Sequence, residues 1–152
     1  MIKKEKKNLA TSILLTGRLL VNRINSHFSS LETNITLEQL DVLVHIAIDP
    51  DRQIIQNDLA VIMHKNKSAI LRSIDILEKK SFVKRIPVPG DRRKNIIRAT
   101  AEGMKITEKA ITIFRQIEEQ YMGKVSSRDA ESCSKVLDII AGECKATMTE
   151  QE

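Results

Sequence analysis

From Lys67 to Lys80 the chain reads KSAILRSIDILEKK, and at 100° per residue its two sides separate: Ile70, Ile74 and Leu77 fall on one face, Ser68, Leu71, Arg72 and Asp75 on the other. A helix divided in this way buries one face and leaves the other available. Its neighbours narrow the choice of fold. A shorter apolar pattern, Leu59, Ala60, Ile62 and Met63, comes before it, after Gln56-Asn57-Asp58, which suits a helix start. His64-Lys65-Asn66 makes the turn between them, and Asn66 suits the N-cap of the longer helix. Two β-prone runs follow, Phe82 to Val88 and Asn95 to Ala99, and the Pro-Gly-Asp turn that joins them predicts a hairpin. Helix, turn, helix and hairpin in that order make a winged helix-turn-helix.

The charge of this stretch points to its partner. Between Ile54 and Thr100 stand eleven basic residues (Lys65, Lys67, Arg72, Lys79, Lys80, Lys84, Arg85, Arg92, Arg93, Lys94, Arg98) and four acidic ones (Asp58, Asp75, Glu78, Asp91). That is an excess of seven, while the whole chain carries only +5, so the remainder stands at −2. A local basic surface on a compact unit favours a polyanion. A helix fits the major groove of B-form DNA, where its amino-terminal residues reach base edges. The major-groove candidates are Lys65, Asn66, Lys67, Ser68, Leu71 and Arg72. Arg72 can pair twice with a guanine, Ser68 or Lys67 can contact phosphate or a base edge, and Leu71 can meet a thymine methyl. At the hairpin tip, Asp91, Arg92, Arg93 and Lys94 are the wing candidates, because a narrow minor groove attracts an inserted guanidinium.

Around this stretch the pattern is helical. Leu9, Ile13, Leu20, Ile24 and Phe28 recur at helical spacing, and Leu14, Leu15, Leu19 and Val21 widen the stripe, so the first helix has more than one neighbour. Thr36-Leu-Glu-Gln39 has the form of a capping box for a second helix through Leu40, Leu43, Val44 and Ala47, which Asp49-Pro50-Asp51 stops. Ile54 and Ile55 suit a very short strand. Thr100-Ala-Glu-Gly caps a long fifth helix reaching Tyr121 or Met122, with Ile106, Ala110, Ile113 and Ile117 on one stripe and Met104, Ile111, Phe114 and Tyr121 on another. Ser126 or Ser127 caps a sixth helix, in which Ala130, Cys133, Leu137, Ile140 and Cys144 step by 3, 4, 3, 4 in a short heptad-like seam.

Other function classes fit poorly. With 152 residues, 41% of them hydrophobic and 30% charged, the chain suits one soluble domain with helical extensions. The basic start superficially resembles a secretory signal, but Glu5 and Arg18 interrupt it and the apolar spacing stays helical to Phe28. No apolar run approaches the roughly 20 residues of a membrane span. Two cysteines make no disulfide framework, which favours the cytoplasm. Cys133 and Cys144 lie about 16 Å apart along one helix at 1.5 Å per residue, too far to bridge each other, and they read as small seam residues. His27, His45 and His64 show no metal-ligand spacing, and no nucleophile-base pair or phosphate-binding glycine loop is present. Neither an enzyme nor a cofactor is expected.

The sequence also resembles the MarR-type transcription regulators. The likeness runs through Gln56-x-x-Leu59-Ala60, Lys67-Ser68-x-Ile70-x-Arg72, Ile74-Asp75-x-Leu77-Glu78-Lys79-Lys80-x-Phe82-Val83-x-Arg85, Asp91-Arg92-Arg93 and Thr100-x-x-Gly103. It departs from the usual pattern at His64, Ala69, Leu71 and Ala99. The resemblance implies a mostly α fold with a small β-hairpin wing: a winged helix-turn-helix over residues 36–100 and a helical dimerisation region from residues 1–35 and 101–152. It implies that Arg92 enters the minor groove while Asp91 and Arg93 brace the wing or hold phosphate. It further implies a homodimer through the first, fifth and sixth helices, with Leu9, Ile13, Phe114, Cys133, Leu137, Ile140 and Cys144 at the interface. Such dimers bind double-stranded DNA at inverted repeats, and a small-molecule effector would act near the first, second and fifth helices. Two other readings stay open: a winged-helix module that binds protein, and an architectural DNA binder indifferent to sequence.

Overall fold

The computed structural model describes residues 8–28, 33–49 and 52–149, with the side chains of Arg92, Arg93 and residues 147–149 outside that description. The elements run α1 (Leu9–Phe28), α2 (Leu37–Ala47), α3 (Gln56–Ile62), α4 (Lys67–Lys79), β1 (Val83–Val88), β2 (Asp91–Ala99), α5 (Ala101–Met122) and α6 (Ser127–Thr149). The chain divides into two compact units, Met1–Ile113 and Phe114–Glu152. Among the described residues, no helix is long and apolar enough to cross a membrane.

Local chemistry sets most of the helix starts. Thr36 accepts the N–H of Gln39 at 3.2 Å while the Gln39 side chain accepts the N–H of Thr36 at 3.0 Å, the reciprocal capping box read from the sequence. Asn66 Oδ1 accepts the N–H of Ser68 at 2.8 Å and starts α4. Ser126, of the two candidates, starts α6 by accepting the N–H of Asp129 at 3.1 Å. Helix α2 ends at Ala47 with Ile48 as its C-cap. Pro50 and Asp51, expected to stop it, lie outside the described residues.

Both α3 and α4 end in a Schellman turn. After α4, the N–H of Phe82 donates to the carbonyl of Leu77 at 2.9 Å and that of Ser81 to Glu78 at 2.8 Å. After α3, Lys65 donates to Ala60 at 3.0 Å and His64 to Val61 at 3.2 Å. Each turn needs one left-handed residue, and here the position falls to His64 (φ 48°) and Ser81 (φ 61°), where glycine is usual.

These helices pack a single core in the first unit. Leu43 of α2, Leu59 of α3 and Ile74 and Leu77 of α4 are fully buried, as are Val83 and Ile97 of the hairpin, and Ile106 and Ala110 of α5 are buried beside them. Burying each such aliphatic side chain contributes about 1.5–3 kcal/mol. The apolar face of α4 read from periodicity, Ile70, Ile74 and Leu77, is the face that is buried.

The hairpin is antiparallel, with β1 paired to β2 from Val83↔Ala99 to Pro87↔Asn95. Ile54 and Ile55 lie alongside β2: the N–H of Ile97 donates to the Ile54 carbonyl at 2.8 Å, and Ile55 bridges Ile96. This leaves β1 as the edge strand. The turn is tighter than the sequence suggested. β2 begins at Asp91, not Asn95, because Pro89-Gly90 alone closes the loop, with Gly90 at φ 83°. The register then jumps from Val88↔Asp91 to Pro87↔Asn95, so β2 carries three extra residues, Arg92 to Lys94, against β1.

Helix α5 starts on this hairpin. The Thr100 hydroxyl accepts the N–H of Gly103 at 3.1 Å and donates to the Ser81 carbonyl at 2.6 Å. At Gly103 the helix comes so close to the loop before β1 that a Cβ would stand 2.0 Å from the Phe82 carbonyl oxygen. Of the two stripes expected along α5, Ile106, Ala110 and Ile117 are buried, while Ile111, Phe114 and Tyr121 are exposed.

Candidate nucleic-acid interface

Burying Ile70, Ile74 and Leu77 turns the other side of α4 outward. Lys67, Ser68, Leu71 and Arg72 are all exposed near its amino-terminal end, as the sequence predicts, and Leu71 keeps 40% of its surface in solvent. Arg72 Nε donates to the Ser68 carbonyl at 3.3 Å, an exposed contact that leaves the guanidinium at the surface. Asn66 spends its side-chain oxygen on the cap, and its amide N–H groups remain at the exposed helix start. Lys65 is placed differently from its neighbours. Its ammonium lies 3.8 Å from Glu38 and 4.0 Å from Asp41, so it links the turn before α4 to the first turns of α2.

In the wing, Lys94 is exposed and pairs with Asp91 at 3.4 Å. Arg92 and Arg93 fall within β2, in the stretch that exceeds β1 in length, but their side chains lie outside the described residues. The half-buried Arg85, which the sequence offered in the basic count and in the resembling motif without a role of its own, joins the wing to α4. Its Nη2 donates to Asp75 at 2.5 Å, its Nη1 to Glu78, and its backbone N–H to Glu78 at 3.1 Å. Burial works against the guanidinium's charge, but the hydrogen bonds it donates to Asp75 and Glu78 and their negative charge hold its pKa above the ordinary arginine value. An acidic pair spaced i, i+3 on the helix, Asp75 and Glu78, followed by an arginine in the next strand, is the sequence signal that matches this contact.

The residues expected at a dimer interface are exposed or half-buried in the single chain. Leu9, Phe114, Cys133, Leu137 and Cys144 are exposed, and Ile13 and Ile140 are half-buried. A cavity of about 620 Å³ lies between the end of α1 and the start of α2, lined by Asn25, Phe28, Ile35, Leu37 and Leu40 among others. Its described lining comes from two of the three helices expected to hold an effector, with none from α5. His45, expected as a hydrogen-bonded structural histidine, shares its Nδ1 hydrogen with the Asp41 carbonyl at 2.9 Å.

This geometry has relatives. Residues 33–94 match the model of the MarR family. The transcriptional regulator HosA of Escherichia coli O111:H- is 31% identical over 65 residues, which is 43% of this chain and 48% of HosA. Ava biosynthesis cluster protein G of Aspergillus versicolor is 32% identical over 78 residues, 51% of this chain and 23% of that protein. The chain thus matches less than half the length of either curated relative. Among solved structures, S. aureus MepR in its complex with DNA superposes with a TM-score of 0.81 at 19% identity, covering 90% of this chain and 98% of MepR. Wild-type apo MarR from E. coli gives 0.69 at 22% identity, covering 88% and 96%. At these identities the structural likeness establishes the fold. The fold is a winged helix-turn-helix with flanking helices, and residues 33–94 of it are similar to the MarR family.

Proposed function

We propose that the chain is a cytoplasmic, homodimeric repressor that binds an inverted-repeat operator in double-stranded DNA and responds to a small-molecule effector. The observation that carries this reading is the capped, outward-facing start of α4 beside a basic hairpin in one packed unit. Lys67, Ser68, Leu71 and Arg72 read the major groove, while Arg92, with Asp91, Arg93 and Lys94 around it, meets the adjacent minor groove. Lys65, turned toward α2, steadies the turn that presents α4. That a protein of this fold, MepR, has been solved in complex with DNA supports the same use here.

The domain arrangement follows from this. Residues 36–100 form the reading head, and residues 1–35 with 101–152 form the dimerisation region that sets the distance between two heads. Half-sites about one helical turn apart are then read together. Occupation of the cavity between α1 and α2 favours a spacing that no longer matches adjacent grooves, which releases the DNA.

Selection of bound fragments from the source genome followed by titration on the recovered duplex tests the reading. Affinity should fall steeply and linearly on a log–log plot as salt rises, by counterion release. Replacing Arg92 by Ala should weaken operator binding about tenfold, the scale of one lost charged contact. Failure of the intact chain to bind any duplex at low salt would sink the regulator reading and favour a protein-binding module. Equal affinity for operator and random duplex would favour an architectural binder.

A further inference from the structure

Asp75 is out of place on a surface that meets a polyanion. It lies one turn beyond Leu71 and Arg72 on the outward side of α4, with its side chain 55% exposed. A carboxylate there repels phosphate unless something offsets it. Arg85 does so from the neighbouring strand, and the same guanidinium reaches Glu78 one turn further along, so a single side chain on β1 spans two successive turns of α4. The rest of the hairpin explains why this tie matters. β2 is held from behind by the backbone bond to Ile54 and the bridge to Ile55, whereas β1 is the edge strand. Its first residue is anchored by the Schellman turn through Phe82. Beyond that point, Arg85 fastens the edge strand to the helix through two side-chain hydrogen bonds, to Asp75 and Glu78, and one from its backbone N–H to Glu78.

We propose that Arg85 is a positioning residue for DNA recognition, fixing the wing relative to α4 so that both reach their grooves at once, and offsetting part of the charge of two carboxylates beside the reading face. The inference rests on the proposed use of α4 and the hairpin as the two reading elements. Two chemical features make arginine necessary. Its planar fork offers parallel N–H donors to two acceptors in a fixed geometry, which a lysine ammonium cannot do. It also stays charged throughout the pH range in which DNA is bound, so the offset of Asp75 does not titrate away.

The test uses the full chain on a selected operator duplex, with guanine N7 protection reporting the major groove, hydroxyl-radical protection reporting the minor groove, and thermal melting reporting the fold. Three variants separate the possibilities: R85K keeps the charge without the fork, R85Q removes both, and the triple change Asp75→Asn, Glu78→Gln, Arg85→Gln removes the fork without leaving bare carboxylates. Arg85→Gln should cost on the order of 10- to 100-fold in affinity, the range of losing one charged groove contact and its alignment. The wing protection should vanish while guanine protection persists at saturating protein. Arg85→Lys should recover less than half of that loss on a logarithmic scale, and the triple variant should stay weak. Wild-type binding by the triple variant or by R85K would reduce Arg85 to a charge and overturn the proposal. Loss of both protections in step with a lowered melting temperature would make it a fold residue only. If the unmodified chain protects no duplex, the DNA-binding reading fails first and this inference falls with it.

Discussion

In the unit Met1–Ile113, Leu43, Leu59, Ile74 and Leu77 have no exposed surface, whereas in the unit Phe114–Glu152 Leu137 is 43% exposed and Ile139 67% exposed. The first unit closes a core from four helices and a hairpin. The second consists of helical segments with regular apolar spacing and little buried against them. Isolated helices of this length are marginal in water, and their stability normally comes from packing an apolar face. The difference is therefore one of address: the apolar residues of the first unit are directed at one another, whereas Leu137 and Ile139 of α6 remain exposed. Helix α1, though part of the first unit, shares this character, with Leu14 72% and Leu19 68% exposed. The proposed homodimer gives all of these residues a partner.

The strongest way to break the comparison is a charge in the α6 seam. Leu137→Glu should convert the proposed dimer to monomers, at a cost on the order of 5 kcal/mol or more when two symmetric copies each lose apolar burial and strand a carboxylate. Sedimentation velocity would show it, and a dimer that survives would place the interface elsewhere. The core of the first unit should remain folded. A smaller effect, confined to the first unit, is expected from Gly103→Ala, because the new methyl meets the Phe82 backbone at 2.0 Å. The cost should be about 2–3 kcal/mol, typical of an overpacked close approach. It would be seen in chemical denaturation followed by circular dichroism, and an unchanged midpoint would mean that the helix start and the hairpin separate easily. The smallest expected change is a gain. Ser81→Gly relieves a left-handed residue in the turn after α4 and should stabilise the protein by about 0.5 kcal/mol, with His64→Gly similar. A loss in either melting profile would mean that the side chain makes a contact worth more than its strain.

Much of the reading head could be read from the chain because its determinants are local. Thr36 with Gln39, Asn66 before Lys67, and Thr100 before Gly103 act within three residues of themselves, and the faces of α4 follow from helical geometry alone. The apolar spacing of Ala130, Cys133, Leu137, Ile140 and Cys144 in α6 is visible in the same way, and it is this spacing that the proposed homodimer uses. Arg85 was harder, since counting it among eleven basic residues assigned it to a charged surface when its guanidinium is committed to Asp75 and Glu78. The contacts of Lys65 were likewise not legible in the chain, its ammonium lying 3.8 Å from Glu38 and 4.0 Å from Asp41.

The sequence by itself determined which segments are helix and strand, where four of the helices begin, and which side of α4 is buried, because hydrogen-bond caps and periodic burial are written within a few residues. Tertiary structure alone decided that the wing turn closes on Pro89-Gly90, that α5 needs glycine against the Phe82 carbonyl, and that one arginine ties the edge strand to the helix. Each of these depends on how closely two segments far apart in the chain approach in space, and that distance is set by packing of the whole core.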